Sequence, residues 1–132
     1  MNTPIRNAFI IDDDDIYIFG IKKLLQIKSL CEQLTIFNSA TEAISKLEAS
    51  IKQGEDFPEI ILLDINMPLM SGWEFMEKFK EFAPEHRKNT KLYMVSSSID
   101  PDDLEKAGNI PEVTKYLIKP INLDILIEIF TP

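Results

Sequence analysis

Apolar runs that end at acidic side chains are the most distinctive pattern along the chain. Residues 60–63 are four consecutive apolar residues, and Asp64 follows them directly. A continuous apolar run of this length, closed by a turn that contains proline, is typical of a strand buried on both faces. Residues 8–11 form a second apolar run, which ends at the acidic cluster of residues 12–15. The pattern predicts two buried strands with carboxylates at their carboxyl ends.

Strand-like and helix-like segments alternate five times along the chain. The predicted strands are residues 8–11, 34–37, 60–64, 92–95 and 115–118. In the segments between them, apolar residues recur at the spacing of a helix with one buried face. Short connections between alternating elements imply right-handed crossovers and helices on both faces of a sheet. The pattern therefore predicts an α/β fold, a doubly wound five-stranded parallel sheet.

Local signals place the later helices and one connection. Asp100 is the predicted N-cap of a short helix, with Pro101 at its first position and Gly108 at its end. The final helix is predicted over roughly residues 122–130. The segment from Pro84 to Thr90 is predicted to be a polar connection.

Composition restricts the class of protein. The chain has 132 residues, the size of one ordinary domain, and 45% of them are hydrophobic, enough for a proper core. The net charge of −8 argues against direct nucleic-acid binding, which needs clustered Lys and Arg. Cys31 is the single cysteine, so we expect no internal disulfide and a reducing compartment. Because we find no signal peptide and no apolar run that could cross a bilayer, we expect a cytoplasmic protein without a membrane partner.

Chemically useful side chains follow the predicted strands at the points where the strands end. They are Asp12, Asp13, Asp64, Ser96 and Lys119. Because the carboxyl ends of parallel strands line one crevice, we expect these side chains to meet. Phosphoryl transfer to a carboxylate needs a nucleophilic oxygen, a cation on the phosphoryl oxygens and one or two further donors. Mg²⁺ accepts carboxylate ligands, so the set predicts a magnesium-assisted site with Asp64 as nucleophile.

In their order along the chain, these residues resemble the receiver domain of two-component response regulators, the CheY-like family. The shared motifs are residues 11–14, 63–72, 95–97 and 116–120. The Asp-x-x-Met-Pro-x-Met-x-Gly string that begins at Asp64 is fairly specific, and the four motifs in order are strong together. The resemblance implies one receiver domain over residues 1–132, with a flavodoxin-like three-layer sandwich and strand order 2-1-3-4-5.

The resemblance also implies a metal site. Asp64 would be the phosphorylated aspartate. Asp13 would bind Mg²⁺ directly, and Asp12 would act largely through bound water. Asn66 would offer its backbone carbonyl to the metal.

The resemblance further implies a switch. Ser96 would bind a phosphoryl oxygen, with the backbone amide of Ser97 as a helper. Lys119 would pair with the phosphoryl group, and its bond to Pro120 would be cis. Tyr116 would change rotamer on phosphorylation; the alternative for Tyr116 is an ordinary packing aromatic.

The implied partners are a histidine kinase or histidine phosphotransfer protein as donor and an unidentified downstream protein. The chain would be a signalling switch rather than an enzyme, since it would catalyse only its own phosphorylation and slow dephosphorylation. Asp14 and Asp15 are interpreted as caps of the helix that follows. The last helix carries apolar residues on more than one face, which suggests a homodimer through residues 115–131; coverage by neighbouring side chains is the alternative.

Three other classes of protein are weighed against this interpretation. A phosphatase of the haloacid dehalogenase type needs a second aspartate two positions after the nucleophile, and Asn66 stands there. A receiver-like interaction module that never takes phosphate remains open. A flavin-binding protein is disfavoured, because the acidic first loop would repel a phosphate group.

Overall fold

The apolar segments pair side by side as one parallel sheet in the computed structural model, which describes residues 4–131. The strands are β1 (Ile5–Ile11), β2 (Cys31–Phe37), β3 (Ile60–Asp64), β4 (Lys91–Ser96) and β5 (Val113–Ile118). Their spatial order is β2-β1-β3-β4-β5, and every pairing is parallel. The predicted order is therefore confirmed, and all five residues of the central strand β3 are buried.

Helices follow the strands and cover both faces of the sheet. They are α1 (Asp15–Ile27), α2 (Ala40–Gln53), α3 (Gly72–Phe79), α4 (Pro84–Arg87), α5 (Pro101–Gly108) and α6 (Leu123–Phe130). One core cluster joins the sheet to α2, α3 and α5, and the other joins it to α1 and α6. Each face of the sheet thus packs against its own layer of apolar side chains, and this packing holds the strand ends in position.

The connection between α3 and β4 differs from the prediction. Residues 84–87 form one turn of helix, α4, where we predicted a polar connection. Proline is favourable at a first helical position because its φ is already helical. The Arg87 guanidinium lies 3.0 Å from a Glu112 carboxylate oxygen, and its Nε donates to the carbonyl of Phe82. These contacts stabilise a helical turn that the polar composition of the segment does not predict.

The exposed apolar surface expected on the last helix is small. Leu126, Ile129 and Phe130 are buried in the core, and Ile121 before them is buried too. Ile127 is exposed, at 37%. Packing against neighbouring elements therefore accounts for most of the apolar residues of α6. The homodimer through residues 115–131 stays a prediction, and α6 offers little exposed apolar surface for it. Within the described chain, no helix is both long and apolar enough to span a membrane.

Candidate metal centre

Strand register brings the acidic ends of β1 and β3 together. Ile11 is the pairing partner of Leu63, so Asp12 and Asp64 follow at adjacent points on the same edge. From β1 the chain continues to β2 on one side of the sheet, and from β3 it continues to β4 on the other side. The strand order therefore reverses direction between β1 and β3. Open α/β sheets form their ligand crevice at such a point. The predicted convergence of Asp12 and Asp64 is confirmed by their geometry.

Three carboxylates form a compact cluster in this crevice. One oxygen from each of Asp12, Asp13 and Asp64 lies within 4.8 Å of the other two. Asp12 and Asp64 are buried, whereas Asp13 is exposed. Magnesium and manganese favour such oxygen donors, and a magnesium ion keeps coordination positions for water and phosphate. The donor set therefore fits a hard divalent cation with one side open to solvent.

The cluster carries an electrostatic cost. Burial raises the pKa of Asp64 from 3.8 to about 6, and the neighbouring Asp12 carboxylate adds to the effect. Burial also raises the pKa of Asp12, although its hydrogen bond to Lys119 partly opposes the shift. A cation placed among the carboxylates would remove this repulsion. Perturbed acids in a crevice are typical of functional sites.

The loop after β1 holds Asp12 in position. The backbone amide of Asp14 donates to Asp12 Oδ1 at 2.9 Å, and the Asn38 side-chain amide donates to the Asp12 carbonyl at 3.4 Å. Asp14 caps α1, since its side chain accepts hydrogen bonds from the amides of Ile16 and Tyr17. The predicted cap role of Asp14 is confirmed, and Asp15 is the acidic residue of the first turn.

Lys119 supplies the positive charge of the site. Its Nζ lies 2.9 Å from Asp12 Oδ2 and 3.9 Å from Asp64 Oδ1. The side chain is only 12% exposed, and the peptide bond to Pro120 is cis. The backbone amide of Lys119 donates to the carbonyl of Ser96 at 2.8 Å, which ties the ends of β4 and β5 together. Lys119 therefore lies within reach of a group attached to Asp64.

Asp64 is supported by the loop that follows it. The backbone amide of Asn66 donates to Asp64 Oδ1 at 3.4 Å, while the Asn66 side chain is exposed. The first residue of α3, Gly72, packs against the backbone of Asp64, and a Cβ at that position would stand 2.6 Å from the Asp64 carbonyl oxygen. Glycine is thus the residue that allows α3 to begin so close to the acidic edge. The metal role of the Asn66 carbonyl stays a prediction.

Of the predicted switch residues, Lys119 contacts the carboxylates, whereas Ser96 and Tyr116 make their side-chain hydrogen bonds to Ser98. Ser96 is fully buried at the end of β4, and its Oγ accepts a hydrogen bond from the Ser98 amide at 3.2 Å. Ser97 is exposed. Tyr116 is half-buried, and its hydroxyl donates to the Ser98 carbonyl at 3.3 Å. Both Ser96 and Tyr116 form a hydrogen bond with Ser98, and their predicted roles stay predictions.

Two residues of the site were missed by sequence reasoning. Gly72 was part of a quoted motif, but its close approach to Asp64 depends on the angle of α3. Tyr17 lies in the first turn of α1, and its ring faces the Lys119 ammonium at 4.4 Å from ring centroid to Nζ. The available signal for Tyr17 was its place one turn after the acidic pair, since helical side chains point back toward the helix start.

Comparison with known proteins gives consistent matches. The family model for the response regulator receiver domain matches residues 8–131. The crystal structure of a two-component response regulator from Cytophaga hutchinsonii is 32% identical with a TM-score of 0.88, and the match covers 97% of this chain and 96% of that one. The Mn²⁺-bound form of response regulator Rcp1 has a TM-score of 0.75 at 22% identity, with 95% and 88% covered, which shows the fold alone.

A curated relative is longer than this chain. An uncharacterized response regulatory protein of Staphylococcus epidermidis is 29% identical over 126 residues, covering 90% of this chain and 45% of that protein. The chain therefore spans about half the length of this relative.

Proposed function

The chain belongs to the family of response regulator receiver domains, and from this premise we propose that Asp64 accepts a phosphoryl group with the help of Mg²⁺. The observation that carries the proposal is the convergence of three carboxylates and one largely buried ammonium at a single edge of the sheet. Asp64 alone among the carboxylates ends the central strand, beside Lys119 and the loop after β4. That position supports Asp64 as the nucleophile, with the other carboxylates in supporting roles.

The transfer step requires an ionised Asp64. One carboxylate oxygen attacks phosphorus, and the P–N bond of a phosphohistidine on the donor breaks. The electron pair stays on the imidazole nitrogen, which takes up a proton, and Asp64 becomes an acyl phosphate. Lys119 offers positive charge to the phosphoryl oxygens as the negative charge shifts toward the imidazole. Water later attacks phosphorus, which returns the carboxylate and releases inorganic phosphate.

The metal would be held by Asp12, Asp13 and Asp64, with the Asn66 carbonyl as a further ligand. When bound, Mg²⁺ would offset part of the negative charge of the phosphoryl oxygens and of the three carboxylates. The exposed Asp13 would contact the metal directly, whereas Asp12 is already paired with Lys119 at 2.9 Å. The occurrence of a Mn²⁺-bound form in a relative of this fold supports a divalent cation here.

The output is a change of protein contacts. Ser96 would turn its hydroxyl from Ser98 toward a phosphoryl oxygen, with the Ser97 amide beside it. Tyr116 shares the Ser98 anchor, so release of that loop would free its side chain to change rotamer. The partners in this proposal are a histidine kinase or phosphotransfer protein and a downstream protein in the cytoplasm. The chain would act as a switch and not as an enzyme with turnover on other substrates.

Trp73 provides the test. It lies one residue after Gly72, which contacts the Asp64 backbone, so its environment should respond to a group added at Asp64. Beryllofluoride with Mg²⁺ imitates a phosphoryl group on aspartate, and we expect it to change the Trp73 emission of the wild-type protein. Asp64→Asn should stay silent, while Asp15→Asn, which removes an exposed charge outside the cluster, should respond like wild type. A wild-type protein that gives no response would reject the switch.

A further inference from the structure

The Lys119 ammonium is held from two sides. On one side it contacts three carboxylates, at 2.9 Å from Asp12 and 3.9 Å from each of Asp64 and Asp14. On the other side its Nζ lies 4.4 Å from the centroid of the Tyr17 ring. This distance is well inside the range in which an ammonium is attracted by the negative face of an aromatic ring. We infer that Tyr17 is a positioning residue that holds Lys119 in place for phosphoryl transfer.

The ring of Tyr17 is itself firmly placed. Its backbone amide donates to the capping carboxylate of Asp14, and its ring packs against the core cluster beneath α1. The buried hydroxyl makes no hydrogen bond to any described residue. Contact with Lys119 is therefore made through the ring face, and the hydroxyl is dispensable for it.

Metal binding would increase the share of the ring contact in holding Lys119, beside the Asp14 carboxylate at 3.9 Å, which lies outside the metal cluster. Asp12 now supplies the shortest contact of Lys119, and a divalent cation among the carboxylates would weaken that attraction and repel the ammonium. The aromatic face carries no net charge, so the cation leaves its attraction for Lys119 in place. Tyr17 thus keeps the ammonium near Asp64 in the state where phosphoryl transfer takes place. This inference rests on the proposed function, because it describes how one part of that site is held.

The chain offers a matched control on the same helix. Phe19 is 64% exposed, and Lys23 lies over its ring at 5.6 Å from the centroid. Phe19→Leu therefore removes an aromatic ring and a cation contact from α1 without touching the acidic cluster. Tyr17→Phe keeps the ring and removes the hydroxyl, whereas Tyr17→Leu keeps apolar bulk and removes the ring.

The experiment measures the rate of phosphorylation by phosphoramidate at saturating Mg²⁺, with intact mass as the readout. Tyr17→Leu should be slower by about 3- to 30-fold, the range expected for loss of a partly desolvated cation contact. Tyr17→Phe should recover most of that loss, and Phe19→Leu should match wild type. In a Lys119→Ala background, Tyr17→Leu should cause no further slowing, because the two changes act on one interaction. An equal slowing in both backgrounds would show a purely structural role and overturn the inference.

Proton NMR makes the result independent of whether Tyr17→Leu folds. The ε-methylene protons of Lys119 should be shifted upfield by the ring in wild type and in Tyr17→Phe, with and without Mg²⁺. An unshifted signal in the wild-type protein with Mg²⁺ overturns the inference even if phosphorylation proceeds normally. A wild-type protein that takes no phosphoryl group rejects the proposed function and the positioning role with it, while the NMR shift still reports whether the contact exists.

Discussion

Asp64 stands where an ionised carboxylate is costly. Burial and the nearby Asp12 raise its pKa to about 6, so at neutral pH the group is ionised against a free-energy penalty. Lys119 offsets part of that penalty, at 3.9 Å from Asp64 Oδ1. A shift of about two pKa units corresponds to roughly 3 kcal/mol. A residue kept charged at this cost is ready to bind a cation or to attack an electrophile.

The cost predicts a particular dependence of stability on pH. Because the pKa of Asp64 is raised on folding, the folded protein binds a proton more tightly than the unfolded chain between about pH 4 and pH 6. This contribution to the free energy of unfolding is full below that window and is lost as the pH rises through 6. Asp64→Asn, which removes the charge, should therefore stabilise the metal-free protein by about 1–3 kcal/mol at pH 7.5.

Urea unfolding of the two proteins in EDTA measures this difference. The advantage of Asp64→Asn should shrink when the pH is lowered to about 5, because the wild-type carboxyl group then becomes largely neutral. Asp15→Asn serves as the control for loss of an exposed charge. A less stable Asp64→Asn at pH 7.5 would contradict the electrostatic account.

At the scale of elements, sequence patterns located most of the molecule. Apolar runs and helical periodicity are direct consequences of burial, so they predicted all five strands and the helices that follow them. The turn of α4 was missed because its stability comes from contacts such as Arg87 with Glu112, which are distant in sequence. For α6 the sequence left two explanations open for a similar reason: periodicity describes a helix, whereas burial of Phe130 depends on what packs against it.

Substitution by alanine should have opposite effects on stability at two glycines, Gly72 at the start of α3 and Gly20 inside α1. A Cβ at Gly72 would stand 2.6 Å from the Asp64 carbonyl oxygen and 2.9 Å from the Ile65 Cα, so backbone would have to move. Gly72→Ala should therefore destabilise the fold by about 1–3 kcal/mol and slow phosphorylation. Gly20 lies inside α1 with no atom within 4 Å of a Cβ, so Gly20→Ala should stabilise by about 0.5–1 kcal/mol. Thermal or urea unfolding measures both, and a neutral Gly72→Ala would show that α3 does not constrain Asp64.

At the scale of the whole molecule, the strand order brings the side chains of the site together. Carboxyl ends of parallel strands share one edge, so the acids of residues 12, 13 and 64 and Lys119 could be predicted to meet from chain order alone. The directions of side chains on separate elements could not be predicted from chain order. The contact of Tyr17 with Lys119 joins α1 to the end of β5; the position of Tyr17 one turn after the acidic pair indicates that it lies near the site, but not that it contacts Lys119. Ser96 lies at the end of β4, as predicted, but its hydroxyl accepts a hydrogen bond from the Ser98 amide, which the sequence did not indicate.

The central claim is that one phosphoryl group is transferred to Asp64 by a site that needs a divalent cation. Intact-mass measurement after incubation with phosphoramidate tests this most directly, with Mg²⁺ present or removed by EDTA. We expect one phosphoryl group on the wild-type chain with Mg²⁺ and little without it, and none on Asp64→Asn in either condition. Equal phosphorylation of wild type and Asp64→Asn, or a wild-type chain that remains unmodified with Mg²⁺, would contradict the account.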